Sequence, residues 1–196
     1  MRALVFLIIV CFGLFLAGSC SKKETYPASA ADNFLPASYL PVYPSSWWKY
    51  VTGADTTVSR TSDSLVSFEG LRLTTLDGWP INGYKKFYDN GIYDRGWVKV
   101  LSETVGATWT HLIGDARINP YTQVTRVMQK TIDTHGDSVI IQRYYVFHVN
   151  PPLYNSAYTW QIFKKNVGLV LECKIDTTNQ DTIYKKVLVD FHINRK

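Results

Sequence analysis

The chain has 196 residues, with 21 Lys and Arg against 16 Asp and Glu, and its formal net charge is +5. This length is enough for one domain with a substantial core. The lysines occur as scattered pairs, at Lys85-Lys86, Lys164-Lys165 and Lys185-Lys186, rather than in one run. Because a nucleic-acid partner requires a clustered basic patch, this distribution argues against nucleic-acid binding.

The N-terminus has the pattern of a secretory signal peptide. Arg2 is followed by an apolar run of fourteen residues, 3–16, and then by Ala17-Gly18-Ser19-Cys20. A basic start, a short apolar stretch and small residues before a cleavage point are typical of such signals. The run is too short to span a bilayer stably. We therefore expect residues 1–19 to be a signal peptide that is removed.

The residues that end in Cys20 resemble the lipobox of bacterial lipoproteins. The resemblance implies that Cys20 is acylated, for example with palmitate, and becomes the first residue of the mature chain. Two acyl chains hold a protein at a membrane essentially permanently. Ser21 stands where some bacteria read Asp as an inner-membrane retention signal. The resemblance therefore favours the outer membrane of the bacterial cell envelope, on either its periplasmic or its surface face.

The mature chain begins with a polar stretch. Residues 20–38 are rich in Ala, Ser, Pro, Asp and Asn with little periodicity, which predicts a flexible tether. Removal of Arg2 with the signal lowers the net charge from +5 to +4. With Cys11 removed and Cys20 acylated, Cys173 is left alone, so no disulfide can form within the mature chain. Stability must then come from the core.

Residues 39–196 have a β pattern throughout, with abundant Thr, Val, Ile, Tyr and Trp, frequent turn signals and no helical stripe. The predicted strands are 47–52, 56–60, 65–68, 71–76, 84–88, 91–94, 97–101, 108–113, 122–133, 138–149, 158–165, 168–176 and 182–193. Asn90-Gly91 predicts a type I′ hairpin, because both central positions need positive φ. His135-Gly136 and Asn179-Gln180 predict the turns of two long hairpins. We expect one all-β domain, either an antiparallel barrel or a strongly bent sandwich.

The last two predicted strands alternate between apolar and polar residues. Leu171, Cys173 and Ile175 share one face, while Glu172 and Lys174 share the other. A period of two with one apolar face predicts antiparallel strands that are half-buried against a core. We expect the apolar face to meet that core, with Cys173 as an inert buried thiol.

Four short stretches at the two ends of the domain carry a second resemblance. They are Tyr39-Leu40-Pro41, Trp47-Trp48-Lys49-Tyr50, Asn166-Val167-Gly168-Leu169-Val170 and Leu188-Val189-Asp190-Phe191. These stretches are similar to those of a group of small, uncharacterised β-rich outer-membrane lipoproteins. Since that group has no established activity, the resemblance implies a class of protein and no site residues.

The tripeptide Gly136-Asp137-Ser138 is similar to the nucleophile block of one lipase and esterase family. In a hydrolase of that kind, Ser138 would act with His192 and Asp190, which fall on one strand face. The block of that family lies between a strand and a helix, however, whereas here it lies between two predicted strands. Gly-Asp-Ser is also a typical turn sequence. We therefore predict no catalytic residue.

The histidines do not have metal-ligand spacing. His111, His135, His148 and His192 include no His-x-x-x-His pair, and the chain has no Cys-x-x-Cys. His148 and His192 each end a long predicted strand and could meet across the sheet to form half a site. Polar strand positions are the commoner role for such residues. We predict no metal site and no cofactor.

Trp47 and Trp48 are the most suggestive pair among six tryptophans. If both lie in one strand, they point to opposite faces, so one can enter the core and the other cannot. An uncovered indole could contact a sugar, a lipid or a protein. Alternatively, the segment 36–44 covers the second indole as part of ordinary packing.

Three functions follow from these features. The first is a membrane-anchored, non-catalytic binding module of the cell envelope, with a carbohydrate, lipid or protein partner and Trp47 and Trp48 as the possible ligand surface. The second is a carrier or assembly factor that shelters an apolar ligand in a barrel-like sheet. The third is a hydrolase that uses Ser138 and His192.

Overall fold

The computed structural model describes residues 38–89, 95–113, 121–148 and 154–195. This part of the chain is all-β, and it contains no helix that could cross a membrane. The strands are β1 Trp47–Thr52, β2 Asp55–Arg60, β3 Val66–Phe68, β4 Leu71–Leu76, β5 Trp79–Asn82, β6 Lys85–Asp89, β7 Arg95–Lys99, β8 Thr108–Ile113, β9 Tyr121–Ile132, β10 Ser138–His148, β11 Tyr154–Lys164, β12 Gly168–Asp176 and β13 Thr182–His192.

The strands form two antiparallel sheets. The large sheet has eight strands in the order β2-β1-β13-β12-β11-β10-β9-β8, and the small sheet has five in the order β3-β4-β5-β6-β7. Most neighbours are consecutive in the chain, as tight turns require, while β1 pairs with β13 and so joins the two ends of the domain. Across the described residues neither sheet closes on itself, so the barrel alternative is not what forms.

Most predicted strands correspond to observed ones, but β5 was not predicted. Its signal is Asp77-Gly78, in which both residues have positive φ, at 52° and 83°, as a tight hairpin turn demands. Pro80 within β5 obscured that signal, because proline cannot donate to a ladder. β6 pairs only with Ile81 and Asn82, so Pro80 lies past the end of that ladder. The predicted strand 91–94 and the Asn90-Gly91 turn lie outside the described residues.

The two predicted long hairpins are confirmed, and aspartates stabilise their turns. Between β9 and β10, Asp133 Oδ1 accepts hydrogen bonds from the backbone N–H groups of His135 and Asp137, each at 2.9 Å. Between β12 and β13, Asp176 Oδ1 accepts a bond from the Thr178 N–H at 2.7 Å. These carboxylates satisfy backbone donors that the turns leave unpaired.

A buried core lies between the sheets and is completed by the segment that precedes β1. Its buried members are Tyr39, Leu40, Val42, Trp48, Tyr50, Ile81, Leu101, Val127, Ile140, Phe163 and Ile193. Three of them come from the five residues 39–43. The start of the domain is therefore an integral part of the core.

The faces of the last two strands differ from the prediction, because β-bulges exchange them. β12 and β13 shift register against their partners, so that Leu169 and Ile193 pack into the core. In the part of β12 that follows Leu169, the core-facing side carries Glu172, and the outer side carries Leu171 and Cys173. An inserted residue moves all later side chains to the other face. Cys173 is accordingly half-buried rather than enclosed.

Candidate functional site

Trp48 is a core residue. Its side chain is 2% exposed, and its indole Nε1 donates a hydrogen bond to the carbonyl oxygen of Val167 at 2.5 Å. Gly168 lies directly beside the ring: a Cβ placed there would be 3.1 Å from Trp48 Nε1 and 3.7 Å from Pro41. The opening segment thus packs against Trp48, which is the indole that enters the core.

Trp47 lies on the outer side of the same strand. It is partly exposed, and its ring stacks on His192 with the centroids 6.4 Å apart and the planes inclined by 28°. The two residues are also paired in the β1–β13 register. Of the predicted ligand surface, therefore, Trp47 is accessible to a partner and Trp48 is not.

The hydrolase candidates lie on separate strands with separate partners. Ser138 begins β10, and its hydroxyl shares a hydrogen bond of 2.6 Å with the hydroxyl of Tyr39. His192 ends β13, and β11 and β12 lie between these two strands. Asp190 Oδ1 accepts a bond from the N–H of the next residue, Phe191, at 2.9 Å. No described contact joins this serine to this histidine.

The suggested pairing of His148 with His192 is wrong. β10 and β13 are not neighbours in the sheet. Because strand direction alternates from β10 to β13, the C-terminal end of β10 and that of β13 lie at opposite ends of the strands. Among the described residues, no group of three His, Cys, Asp or Glu side chains is arranged to hold a metal ion.

A row of polar side chains crosses the core-facing side of the large sheet. Gln142 on β10 is opposite Gln161 on β11, Gln161 is opposite Glu172 on β12, and Glu172 is opposite Lys186 on β13. We call these four residues the polar row. Gln142 is 1% exposed, although glutamine is rarely so buried. A buried polar side chain of this kind requires hydrogen-bond partners.

Hydrogen bonds along the polar row run in one direction. Tyr184 donates to Glu172 Oε1 at 2.5 Å, and Gln161 Nε2 donates to Glu172 Oε2 at 2.6 Å. Gln142 Nε2 donates to Gln161 Oε1 at 2.7 Å and to the carbonyl oxygen of Val100 at 3.0 Å. A carboxylate only accepts, so Glu172 makes each glutamine donate toward it. Gln142 Oε1 is consequently left as a buried acceptor without a hydrogen-bond partner.

The unpaired amide oxygen belongs to a residue that lines a cavity between the two sheets. The cavity has a volume of about 260 Å³. Its walls come from β6 and β7 of the small sheet and from β8 to β11 of the large sheet. The lining includes Lys86, Phe87, Lys99, Gln123, Gln142, Gln161 and Phe163. The cavity therefore combines amides, ammonium groups and aromatic rings.

The charged groups of this cavity are basic. Burial lowers the pKa of the Lys86 ammonium below its ordinary value, and the nearby charge of Asp77 partly opposes that effect. Lys99 lies with its ammonium 5.0 Å from the centre of the Trp109 ring, in a cation–π contact. At the far end of the polar row, Lys186 lies over Tyr50 at 4.3 Å. Lys86 and Lys99 thus give the lining of the cavity cationic hydrogen-bond donors.

A second, more open cleft of about 510 Å³ surrounds Glu103. Tyr84 donates to Glu103 Oε1 at 2.6 Å, and Lys130 Nζ lies 2.9 Å from Oε2. Burial tends to raise the pKa of Glu103, but the hydrogen bonds from Tyr84, Lys130 and Ser38 outweigh it and hold the pKa below its ordinary value. Burial and this carboxylate raise the pKa of Tyr84 to about 12. These contacts bind the opening segment to the body of the domain.

Acid should destabilise the domain through these carboxylates. The pKa of Asp133 is also lowered, because its hydrogen bonds with Asp137, Lys164 and His135 outweigh the effect of burial. A lowered folded-state pKa stabilises the fold above the unfolded-state value, and that contribution is lost as the pH falls. The ordinary values are 4.5 for Glu103 and 3.8 for Asp133, so we expect stability to fall below about pH 4.5.

Urea unfolding at pH 7 and at lower pH measures this loss. Glu103→Gln should flatten the pH dependence between these conditions, because it removes one of the titrating groups. Asp55→Asn, which removes an exposed carboxylate at the start of β2, is the matched control. An acid-induced loss of the same size in Glu103→Gln and in the unmodified protein would contradict the role given to Glu103.

Sequence reasoning missed the polar row. Its signal was the polar face of the C-terminal strands, on which Glu172 lies with Lys174, and that face was expected to meet solvent. Gln142 follows Ile140-Ile141 and has no spacing that marks it as a site residue. Cys20 lies outside the described residues, so its acylation stays a prediction.

Comparisons with protein-family models, with curated proteins and with solved structures find no match to this chain.

Proposed function

We propose that this chain is an outer-membrane lipoprotein anchored through Cys20, and that its sandwich-like β domain is a non-catalytic binding module. The anchor rests on the resemblance of residues 17–20 to a lipobox. The observation that carries the binding role is the inter-sheet cavity of about 260 Å³, whose lining includes Lys86, Gln123 and Gln161. Sites that bind small molecules are concave and place a few polar groups in their walls, and this cavity has that character.

Two features favour binding over hydrolysis. Ser138 shares its hydroxyl hydrogen bond with Tyr39, and the strand that carries His192 is separated from β10 by two others. A serine nucleophile needs a base within hydrogen-bond reach. The polar lining of the cavity also suits a polar ligand better than an apolar one. This argues against a carrier that shelters an apolar ligand.

An esterase assay tests the non-catalytic part of the proposal. We expect the protein to release no p-nitrophenol from p-nitrophenyl acetate or butyrate beyond the level of Ser138→Ala. Tyr39→Phe is the matched control, because it removes the same hydrogen bond and leaves the serine hydroxyl in place. Turnover that Ser138→Ala abolishes and Tyr39→Phe retains would establish the hydrolase instead.

Trp47 remains the candidate for a contact with a larger partner. Its ring lies on the outer side of the large sheet, away from the cavity, and is partly exposed beside His192. Aromatic side chains in such positions are frequent in contacts with other molecules. A partner held here would leave the inter-sheet cavity free for a small ligand.

A further inference from the structure

We infer that the outer side of the large sheet, across β9 to β12, docks on an anionic phospholipid surface, with Arg126 and Arg143 at the lipid phosphates. The inference concerns a surface outside the inter-sheet cavity, and it rests on the proposed function only through the anchor at Cys20. The contact orients a domain that the acyl chains already hold at the membrane, and it does not replace those chains.

An apolar row crosses the outer side of the large sheet, next to the polar row on the core-facing side. Its members, which are opposite one another across β10 to β13, are Ile141, Ile162, Leu171 and Val187. All four are partly exposed, because the small sheet packs against the other side. Contiguous apolar side chains that stay accessible on a protein surface mark a contact with another molecule.

Aromatic rings extend this apolar row toward the C-terminal end of β10. Tyr145 is 40% exposed, lies opposite Tyr158, and stacks on Phe147 with the ring centroids 6.2 Å apart. The ring of Trp160 lies 5.9 Å from that of Tyr158. The guanidinium of Arg143 lies over both of these rings, at 5.3 Å from Tyr158 and 5.6 Å from Trp160. Tyr and Trp are favoured where a protein meets a membrane interface, since each has an apolar body and a polar group.

The charges on this side of the sheet are positive. The adjacent strands β9, β10 and β11 contain four Lys and Arg residues and no Asp or Glu. Lys130 and Lys164 have carboxylate partners, whereas none of the ion pairs between described residues involves Arg126 or Arg143. These two arginines are directly opposite each other in register, so their charges repel. A phosphate held by both guanidinium groups would replace that repulsion with attraction.

The proposed anchor brings a membrane within reach of the arginines and the aromatic rings. The predicted tether, residues 20–38, should average on the order of 25 Å from end to end. It ends at Ser38, whose carbonyl oxygen accepts a hydrogen bond from the Asn166 N–H at 2.5 Å. Trp160 precedes Asn166 by six residues, about 20 Å of extended strand. A second copy of the chain is a poorer occupant, because a symmetric dimer would place the same arginine pair against itself.

The thiol of Cys173 can report on this contact, because Cys173 is half-buried on the outer side and lies opposite Trp160. The test inserts the full acylated protein into preformed vesicles of phosphatidylcholine, or of phosphatidylcholine and phosphatidylglycerol in a ratio of two to one. A polyethylene glycol maleimide then labels the thiol from the aqueous phase. We expect labelling to be several-fold slower on the vesicles with phosphatidylglycerol, and concentrated KCl should restore most of the rate because it screens the charges.

Variants assign this protection to the two arginines. Arg126→Gln combined with Arg143→Gln should weaken docking about 25-fold, about fivefold for each charge, and so remove most of the protection. Arg72→Gln, which removes an exposed arginine from β4 of the small sheet, is the matched control and should keep the protection. Each rate is compared with that of the same variant on phosphatidylcholine, so that a local effect on the thiol cancels. If the double variant does not fold, Arg126→Gln alone replaces it, with a loss of about fivefold.

Equal labelling on the two kinds of vesicle would overturn the inference, as would protection that survives the loss of both arginines or is lost equally in Arg72→Gln. Protection on phosphatidylcholine that grows with protein concentration would show that a second copy covers this side instead. The intact mass of the purified protein tests the anchor separately. A chain without acyl groups refutes the anchor and the docking together, whereas an acylated chain whose Cys173 stays equally accessible refutes the docking alone.

Discussion

Trp48→Ala should lower the free energy of unfolding by about 3–5 kcal/mol, the cost of removing a fully packed indole. The side chain is 2% exposed, fills the space beside Gly168 and Pro41, and donates to Val167. The substitution leaves a cavity and an unpaired carbonyl oxygen at once. For a domain of this size the melting temperature should fall by roughly 6–20 °C. Thermal and urea unfolding of the purified protein measure both quantities.

Trp47→Ala is the matched control for that substitution, because it removes the same side chain one residue earlier in the same strand. It loses the stacking contact with His192 on the partly exposed face, and we expect a cost of about 1 kcal/mol. A similar large loss in both variants would place both indoles in the packed structure and remove Trp47 as a contact residue. A small loss for Trp48→Ala would contradict the core described here.

Cys20→Ala should abolish acylation and release the protein from the membrane fraction. The prediction rests on the lipobox resemblance, in which this thiol accepts the acyl chains. Loss of two chains removes an attachment that is otherwise essentially permanent, so the redistribution should be nearly complete. Growth with a labelled palmitate, followed by fractionation of the envelope, measures the label and the location together.

Cys173→Ala is the control for acylation, because it removes the cysteine of β12 and leaves Cys20 in place. We expect this variant to retain the label and the membrane location. Label on Cys20→Ala, or an unlabelled unmodified protein, would show that the lipoprotein prediction is wrong. Outer-membrane placement can be read from the same fractions by separating the two membranes on a density gradient.

β-strand content was readable from local pattern, since strand propensity and turn residues act over a few residues. The alternation in β12 and β13 and the Asp133 turn are examples. β5 was not predicted, because proline is normally excluded from the interior of a sheet. Pro80 is tolerated in β5 because the pairing with β6 ends at Ile81. Local signals thus identify most strands, but they do not identify a strand whose presence depends on where a neighbouring strand ends.

The sequence by itself determined the all-β class, the long C-terminal hairpins and the opposite faces of Trp47 and Trp48. The tertiary structure decided which of the two indoles is inside, and which faces of β12 and β13 meet the core. Bulges in β12 and β13 exchange the faces, so that Glu172 points toward the core side and Cys173 away from it. The polar row also depends on register across β10, β11 and β12. Register links residues far apart in the chain, and no local pattern encodes a side chain's partner on another strand.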